Sequence, residues 1–199
     1  MASNLIVLLF AALPLMGSPG PATMSLAAMG AAYGTQNSLS YLSGIIAGTF
    51  GVLILIATGV TGLILVQPTL VKAITVVAAI YILYLAYRIA GAPVVGESNT
   101  KSRPPLFYSG FILAIANPKA FAAIGAVYSS SLILPHDLML DAFAKISALS
   151  IVIIIVNSGW LIFGSALSPM LRNPKTGRIA NVIFAIMLIA SVATAFLSG

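Results

Sequence analysis

Six long apolar runs alternate with short polar stretches along the chain, over residues 5–29, 41–66, 70–90, 107–129, 142–167 and 179–197. Each is close to or above the roughly 20 residues a helix needs to cross a hydrocarbon core of about 30 Å. The pattern predicts six transmembrane helices. The polar stretches differ in kind. Residues 30–40 hold Tyr33-Gly34-Thr35-Gln36-Asn37-Ser38 and no charge, and Gln67-Pro68-Thr69 is a tight turn. The stretch from Gly91 to Pro105 collects Pro, Gly, Ser and Asn with one Glu, one Lys and one Arg. This last stretch is the one long linker. It divides the chain into 1–90, a linker at 91–106, and 107–199. With three runs in each part, the two parts enter the bilayer in opposite orientation. The expected fold is all-α and integral to the membrane, with six helices as two inverted three-helix repeats. Residue similarity between the parts is weak, so the repeat follows from parity.

Two of the runs are interrupted. The first contains Gly17-Ser18-Pro19-Gly20-Pro21, which cannot continue a helix, because each proline lacks a donor and clashes with the carbonyl four residues back. The fourth contains Asn117-Pro118-Lys119-Ala120. Broken backbone at membrane depth is tolerated only where protein or a water-filled cavity satisfies its polar groups. Paired interruptions in two halves point to a transporter site. Asn117 is a good N-cap and Pro118 suits a first helical position, so a new half-helix is expected to start there. In the first run Ser18 is expected to cap a half-helix with Pro19 in its first turn. Gly20 lets backbone approach a ligand, and Thr23 and Ser25 add hydroxyls. Half-helix N-termini attract carboxylate or phosphate. Lys119 adds a full charge near mid-membrane, where a lysine costs about 2.5–3.5 kcal/mol on insertion scales and marks function by default. The competing readings are a plain proline kink at Pro19, and a lysine that snorkels or caps carbonyls of another helix.

Composition agrees with the membrane reading. Sixty per cent of residues are apolar, 6% are charged, and the mean hydropathy is +1.13. The net charge of +6 is therefore no sign of a nucleic-acid partner. Arg88, Lys101, Arg103, Arg172, Lys175 and Arg178 fall in alternate loops on one side, with Lys72 and Lys145 on the other. By the positive-inside rule the linker is cytoplasmic and both termini are outside. The start of the chain lacks a basic segment and does not resemble a cleaved signal peptide. No cysteine is present, and one His with three carboxylates leaves almost nothing for a metal site, a cofactor or acid–base catalysis, so an enzyme is not expected.

Other polar residues carry weaker signals. Asn157-Ser158-Gly159 fits either the lining of the same cavity or an interhelical hydrogen bond. Thr49, Thr58 and Thr61 can bond back to their own helices and receive no role. Asp141 and Lys145, four apart, suit a pair at the outer end of the fifth run. His136 and Asp137 read as a solvated loop. Gly44 and Gly48 form a small-xxx-small pair, for which packing within the chain is favoured over a homodimer face. Tyr81, Tyr84 and Tyr87 with Arg88 look like an interfacial belt.

These residues resemble the LysE/RhtB family of amino-acid exporters over most of the chain. Ser18-Pro19-Gly20-Pro21 is similar to that family's first-span PGP motif. Gly34 with Leu42-Ser43-Gly44-Ile45-Ile46-Ala47-Gly48 is similar to its second-span glycine pattern. Lys72 followed by Tyr81-Ile82-Leu83-Tyr84-Leu85 matches its third-span signature, and Gly110-Phe111-Ile112-Leu113 followed by Asn117-Pro118-Lys119-Ala120 matches its fourth. The resemblance implies six spans in two inverted repeats and export of amino acids or similar metabolites across a bacterial inner membrane. The family usually follows PGP with aspartate, where this chain has Ala22. No expected span contains a carboxylate. Either Lys119 takes the acid's part in coupling, or coupling is absent or different.

The expected function is a secondary transporter that exports a small carboxylate-bearing solute by alternating access. Its expected site comprises Ser18, Pro19, Gly20, Pro21, Thr23, Asn117, Pro118, Lys119 and Asn157, and its surroundings are lipid. The alternatives are an ion transporter or channel-like member of the wider superfamily, and a membrane scaffold without transport.

Overall fold

The computed structural model describes residues 2–59, 105–130, 132–167 and 173–197, together with Thr69, Val76, Ile80, Leu83, Tyr84, Ala86, Tyr87, Ala90 and Gly91. Among the described residues the helices with both ends in view are α1 (Ala2–Gly17), α2 (Pro21–Asn37), α3 (Leu39–Ala57), α4 (Phe107–Ile115), α5 (Pro118–Ser130), α6 (Leu138–Leu167) and α7 (Pro174–Leu197). No strand occurs among the described residues. By length and composition, α3 and α6 can cross a bilayer, and α1 with α2 and α4 with α5 make two further candidate spans if each bent pair counts as one. The bends are 63° between α1 and α2 and 60° between α4 and α5.

Several helix limits differ from those expected. The uncharged 30–40 stretch is mostly helical, because nothing in it stops the backbone before Gly34, whose φ of 77° turns the last part of α2. Ser38 alone joins α2 to α3, buried, with its hydroxyl donating to Met29 O (3.2 Å) and Gly34 O (2.8 Å). The helix α3 ends at Ala57 rather than near residue 66, with Gly59 at φ 73° in the left-handed position that favours glycine. Residues 60–66 lie outside the described residues. The helix α6 starts four residues earlier than expected, because Asp137 Oδ1 accepts the Leu140 N–H at 2.9 Å as an N-cap. Most of the third run, with its Lys72, Tyr81 and Arg88, lies outside the described residues, as do Thr61, Arg172 and most of the linker.

Apolar side chains cover the outside as well as the inside. Ile151, Ile154, Ile155, Ile162 and Phe163 are exposed on α6, and Ile179, Val182, Ile183 and Ile186 on α7. Val76, Ile80, Leu83, Tyr84 and Tyr87 recur on one exposed helical face. Such a surface suits lipid.

Inside, two apolar clusters share the packing. One joins α2, the first half of α3, α4 and Leu161 of α6 around Leu26, Tyr41, Ile45 and Leu113. The other joins α1, the second half of α3, α5 and the first half of α6 around Leu8, Leu53, Ile124 and Leu149. The two most extensive helix contacts are α2 with α6 and α3 with α4. Glycine makes both possible. A carbon added at Gly30 would meet Leu161 O, and one at Gly164 would meet Ala27 O, so α2 and α6 touch backbone to backbone. Gly44, Gly48 and Gly110 do the same between α3 and α4. The Gly44–Gly48 face is thus occupied within the chain, as packing in bilayers favours.

The expected pair Asp141–Lys145 forms, at 2.9 Å, but neither member is at a solvated end. Asp141 is 3% exposed and Lys145 3%. The carboxylate also accepts the N–H groups of Ile133 and Leu134 (2.9 Å to Leu134), and the ammonium lies 5.0 Å from the Tyr128 ring centroid. Because α6 starts at Leu138 rather than at residue 142, Asp141 falls inside the helix, in its first turn, where the helix dipole favours it.

Gly164→Ala should lower the thermal unfolding midpoint in detergent, since overpacking a tight contact costs about 1–3 kcal/mol. Gly125→Ala, with nothing within 4 Å of its added carbon, should hold or raise it. Asp141→Asn strands a buried ammonium and should cost about 3–5 kcal/mol, with Asp141→Asn/Lys145→Met recovering part of the loss.

Candidate functional site

The first interruption is a helix end whose carbonyls need donors. Past Ser18 no backbone N–H continues the ladder for them among the described residues. Ser18 supplies two donors locally: its N–H reaches Pro14 O (3.0 Å) and its hydroxyl reaches Leu15 O (3.0 Å). Trp160 of α6 donates its indole N–H to Gly17 O at 3.0 Å. Lys119, at the start of α5, donates its ammonium to Ser18 O and to Pro19 O (3.2 Å to the latter). Thr23 Oγ1 lies 3.4 Å from Ser18 O and 3.1 Å from Gly20 O. A cation at a helix C-terminus also meets the negative end of the dipole.

On the other side of the interruption α2 begins. Gly20 is its N-cap and Pro21 its first residue. Gly20 is extended (φ −172°) and makes no demand for glycine through its backbone. Space makes the demand instead: a carbon added there would lie 2.5 Å from Lys119 Cδ and 3.1 Å from its Nζ. Thr23 Oγ1 accepts the Gly20 N–H at 2.9 Å. The Ala22 N–H finds no acceptor among the described residues.

The second interruption is shorter. The helix α4 ends at Ile115 and α5 starts at Pro118. Asn117 Oδ1 accepts the Lys119 N–H at 3.2 Å. The same three residues recur as Asn173-Pro174-Lys175 at the start of α7, with Asn173 Oδ1 accepting the Lys175 N–H at 3.0 Å. Locally the two are one device for starting a helix. They differ in surroundings: Asn173 and Lys175 are exposed, whereas Asn117 is 5% exposed and Lys119 reaches across to α1.

Four helix ends therefore meet between the two apolar clusters, the C-termini of α1 and α4 and the N-termini of α2 and α5. A cavity of about 40 Å³ lies there. Its polar lining is Thr23, Thr49, Asn117, Lys119 and Asn157, and Met16, Ile124, Ile153 and Val156 supply apolar wall. It has room for a few water molecules, far below the about 300–1,000 Å³ of ordinary ligand pockets. Asn157, 5% exposed, donates to Ile153 O at 2.8 Å on its own helix. Asn157 Oδ1 and Asn117 Nδ2 have no hydrogen-bond partner among the described residues.

The structure brings Gly20, Thr23, Asn117, Lys119 and Asn157 to one cavity, with Ser18 and Pro19 at its rim through Lys119. Pro21 and Pro118 start helices behind them. Two expectations are corrected. Ser18 caps the end of α1 and not the start of α2, because Pro21 rather than Pro19 holds the first helical position. Ser25 faces away, accepting the Tyr41 hydroxyl at 2.9 Å. Asn157 makes its bond within α6, not between helices, and Gly159 lies on an open groove beside Gly17 and Phe163. Thr49 bonds back to Ile45 O (2.8 Å) and still lines the cavity. Neither it nor Trp160 carries a local signal of that position, since both depend on how α3 and α6 are rotated.

Residues 13–199 match the family described as LysE type translocator. The chain belongs to the LysE translocator family. It is accordingly a translocator and not an enzyme, a multi-pass protein of a bacterial inner membrane. Among its relatives are the cysteine/O-acetylserine efflux proteins of Salmonella choleraesuis (strain SC-B67) and Salmonella typhimurium (strain LT2). Each is 29% identical over 173 residues, covering 86% of this chain and 87% of the relative. The protein of that name from Escherichia coli (strain K12) is 26% identical over 174 residues, with the same coverage of 86% and 87%. No solved structure matches the chain. Within this LysE protein, Ala22 lines the cavity where the family pattern leads one to expect aspartate. With no carboxylate on that wall among the described residues, Lys119 takes backbone carbonyls as its partners.

Trp160→Phe keeps the ring's bulk and removes the donor to Gly17 O. Stranding that carbonyl should cost about 1–3 kcal/mol, read as a lower unfolding midpoint in detergent.

Proposed function

We propose that this protein is a secondary transporter that exports an amino acid, or a similar small metabolite bearing a carboxylate, by alternating access. In this reading the six spans form two inverted repeats, 1–90 and 107–199, joined by a cytoplasmic linker at 91–106, with both termini outside. The observation that carries the proposal is the meeting of two broken helices at one cavity, bridged by Lys119. Support for the inverted arrangement is that α1 and α5 belong to one apolar cluster while α2 and α4 belong to the other. Each broken helix thus passes from one cluster to the other, in opposite directions. Rocking the clusters against each other about the cavity would open it to one side or the other, as repeat-built transporters do. Arg178 of α7 donates to Ala90 O at 3.1 Å, which fits the end of the third span and the start of the sixth on one face.

The solute's carboxylate has donors at the cavity: the unpaired Ala22 N–H at the start of α2, Asn117 Nδ2, and Lys119 once it leaves α1. Amino-acid cargo is supported by the printed names of the relatives, which are efflux proteins for cysteine and O-acetylserine. The cavity as it stands is too small for such a solute, so loading requires a more open form.

The test uses purified protein in proteoliposomes loaded with labelled cysteine, O-acetylserine and a panel of other amino acids. Losing one charge-assisted hydrogen bond is worth about 1.5–3 kcal/mol, so Lys119→Ala should slow efflux roughly 10- to 100-fold at unchanged incorporation. Pro118→Ala should also impair it, by loosening the start of α5. Unchanged efflux in both variants removes the site. Flux of labelled monovalent or divalent cations without amino-acid flux supports the ion-transporter alternative instead.

A further inference from the structure

We infer that the carbonyl oxygens of Ser18 and Pro19 are a subsite for the solute's own ammonium group, and that Lys119 occupies it as a tethered stand-in when the site is empty. The inference rests on the transport reading above. Both carbonyls lie just past the end of α1, where the dipole favours a cation. Pro19 O accepts from Lys119 Nζ alone among the described residues, and Ser18 O adds only the distant Thr23 hydroxyl. A primary ammonium is already bound there, so the site's chemistry is on view. Its owner comes from another helix, and the side chain is laid across Gly20, where any Cβ would collide with it. A tether lying over a glycine can lift away without disturbing α2.

Charge dictates what can replace it. Among the described residues no carboxylate lines the cavity, so two ammonium groups cannot be held there together without an added anion. A zwitterion brings that anion. Its ammonium takes the two carbonyls, Lys119 swings to its carboxylate, and the cavity's net charge is the same before and after. A simple carboxylic acid would draw Lys119 off and leave both carbonyls unpaired in an apolar setting, which is costly. A simple amine would displace Lys119 and leave it unpaired. The exchange selects for molecules carrying both groups. It also ties the bend at the first interruption to occupancy, because the bridge from α5 to α1 is present only in the empty state.

The experiment measures competition against export of labelled cysteine, using unlabelled cysteine, 3-mercaptopropionate (no amine) and cysteamine (no carboxylate). In the wild-type protein cysteine should compete about tenfold or more better than either analogue, since each lacks one charge-assisted bond. In Lys119→Met, cysteamine should gain about tenfold, because its competitor is gone, while 3-mercaptopropionate should weaken further. The inference is overturned if 3-mercaptopropionate matches cysteine in the wild-type protein. It is equally overturned if cysteamine gains nothing in a Lys119→Met protein that stays monodisperse. The wild-type comparison stands even where that variant does not fold. Absence of export for cysteine and every other amino acid tested sinks the transport reading and this subsite with it. Export that ignores the amine sinks only the subsite.

Discussion

A helix that stops inside an apolar medium leaves carbonyl oxygens that water cannot reach. Everything at the centre of this protein follows from supplying donors to the end of α1. The local chain offers Ser18, which satisfies two of the carbonyls and no more. Gly17 O and the two carbonyls just past the helix take donors from far along the sequence, Trp160 from α6 and Lys119 from α5. Those long reaches bring the two halves of the chain together at one point. They also explain why a lysine is tolerated there: its charge is matched by the negative end of a helix rather than by an acid.

The rest of the architecture holds that point in place while leaving it open to change. Backbone contact at Gly30 and Gly164 clamps α2 to α6, and Gly44, Gly48 and Gly110 clamp α3 to α4. These clamps lie within one apolar cluster or its border, and the second cluster gathers α1 and α5 separately. Between them runs a seam of small polar and medium apolar side chains around the cavity. Apolar clusters pack densely and resist deformation. A seam lined by Thr23, Thr49, Asn117 and Asn157 does so less, because its hydrogen bonds mostly stay within single helices. Motion is cheapest where few bonds cross, and the bonds that cross here belong to Lys119 and Trp160.

Much of this was legible from residues alone, for stated reasons. Apolar run length carries helices and membrane because both depend on local composition. The prolines at 19, 21 and 118 mark helix ends because a missing donor is a local property. What was not legible depends on tertiary setting. Asn-Pro-Lys occurs twice with the same capping geometry, and nothing local distinguishes half-buried Lys119 from exposed Lys175. The i,i+4 spacing of Asp141 and Lys145 was readable, but their burial was not, since it comes from the 133–134 backbone folding back onto the carboxylate. Ser18 misled because serine is a favoured N-cap in general, while here the helix start belongs to Pro21.

One feature reaches beyond the site's chemistry. Trp160 is the only tryptophan in the chain, and its ring nitrogen is bonded to the last carbonyl of α1. Indole emission shifts with the polarity and hydrogen bonding around that nitrogen. The protein thus carries a built-in optical probe at the hinge between its first two helices. Opening of that hinge, with solute or without, is readable from the unlabelled molecule as a change in its own fluorescence.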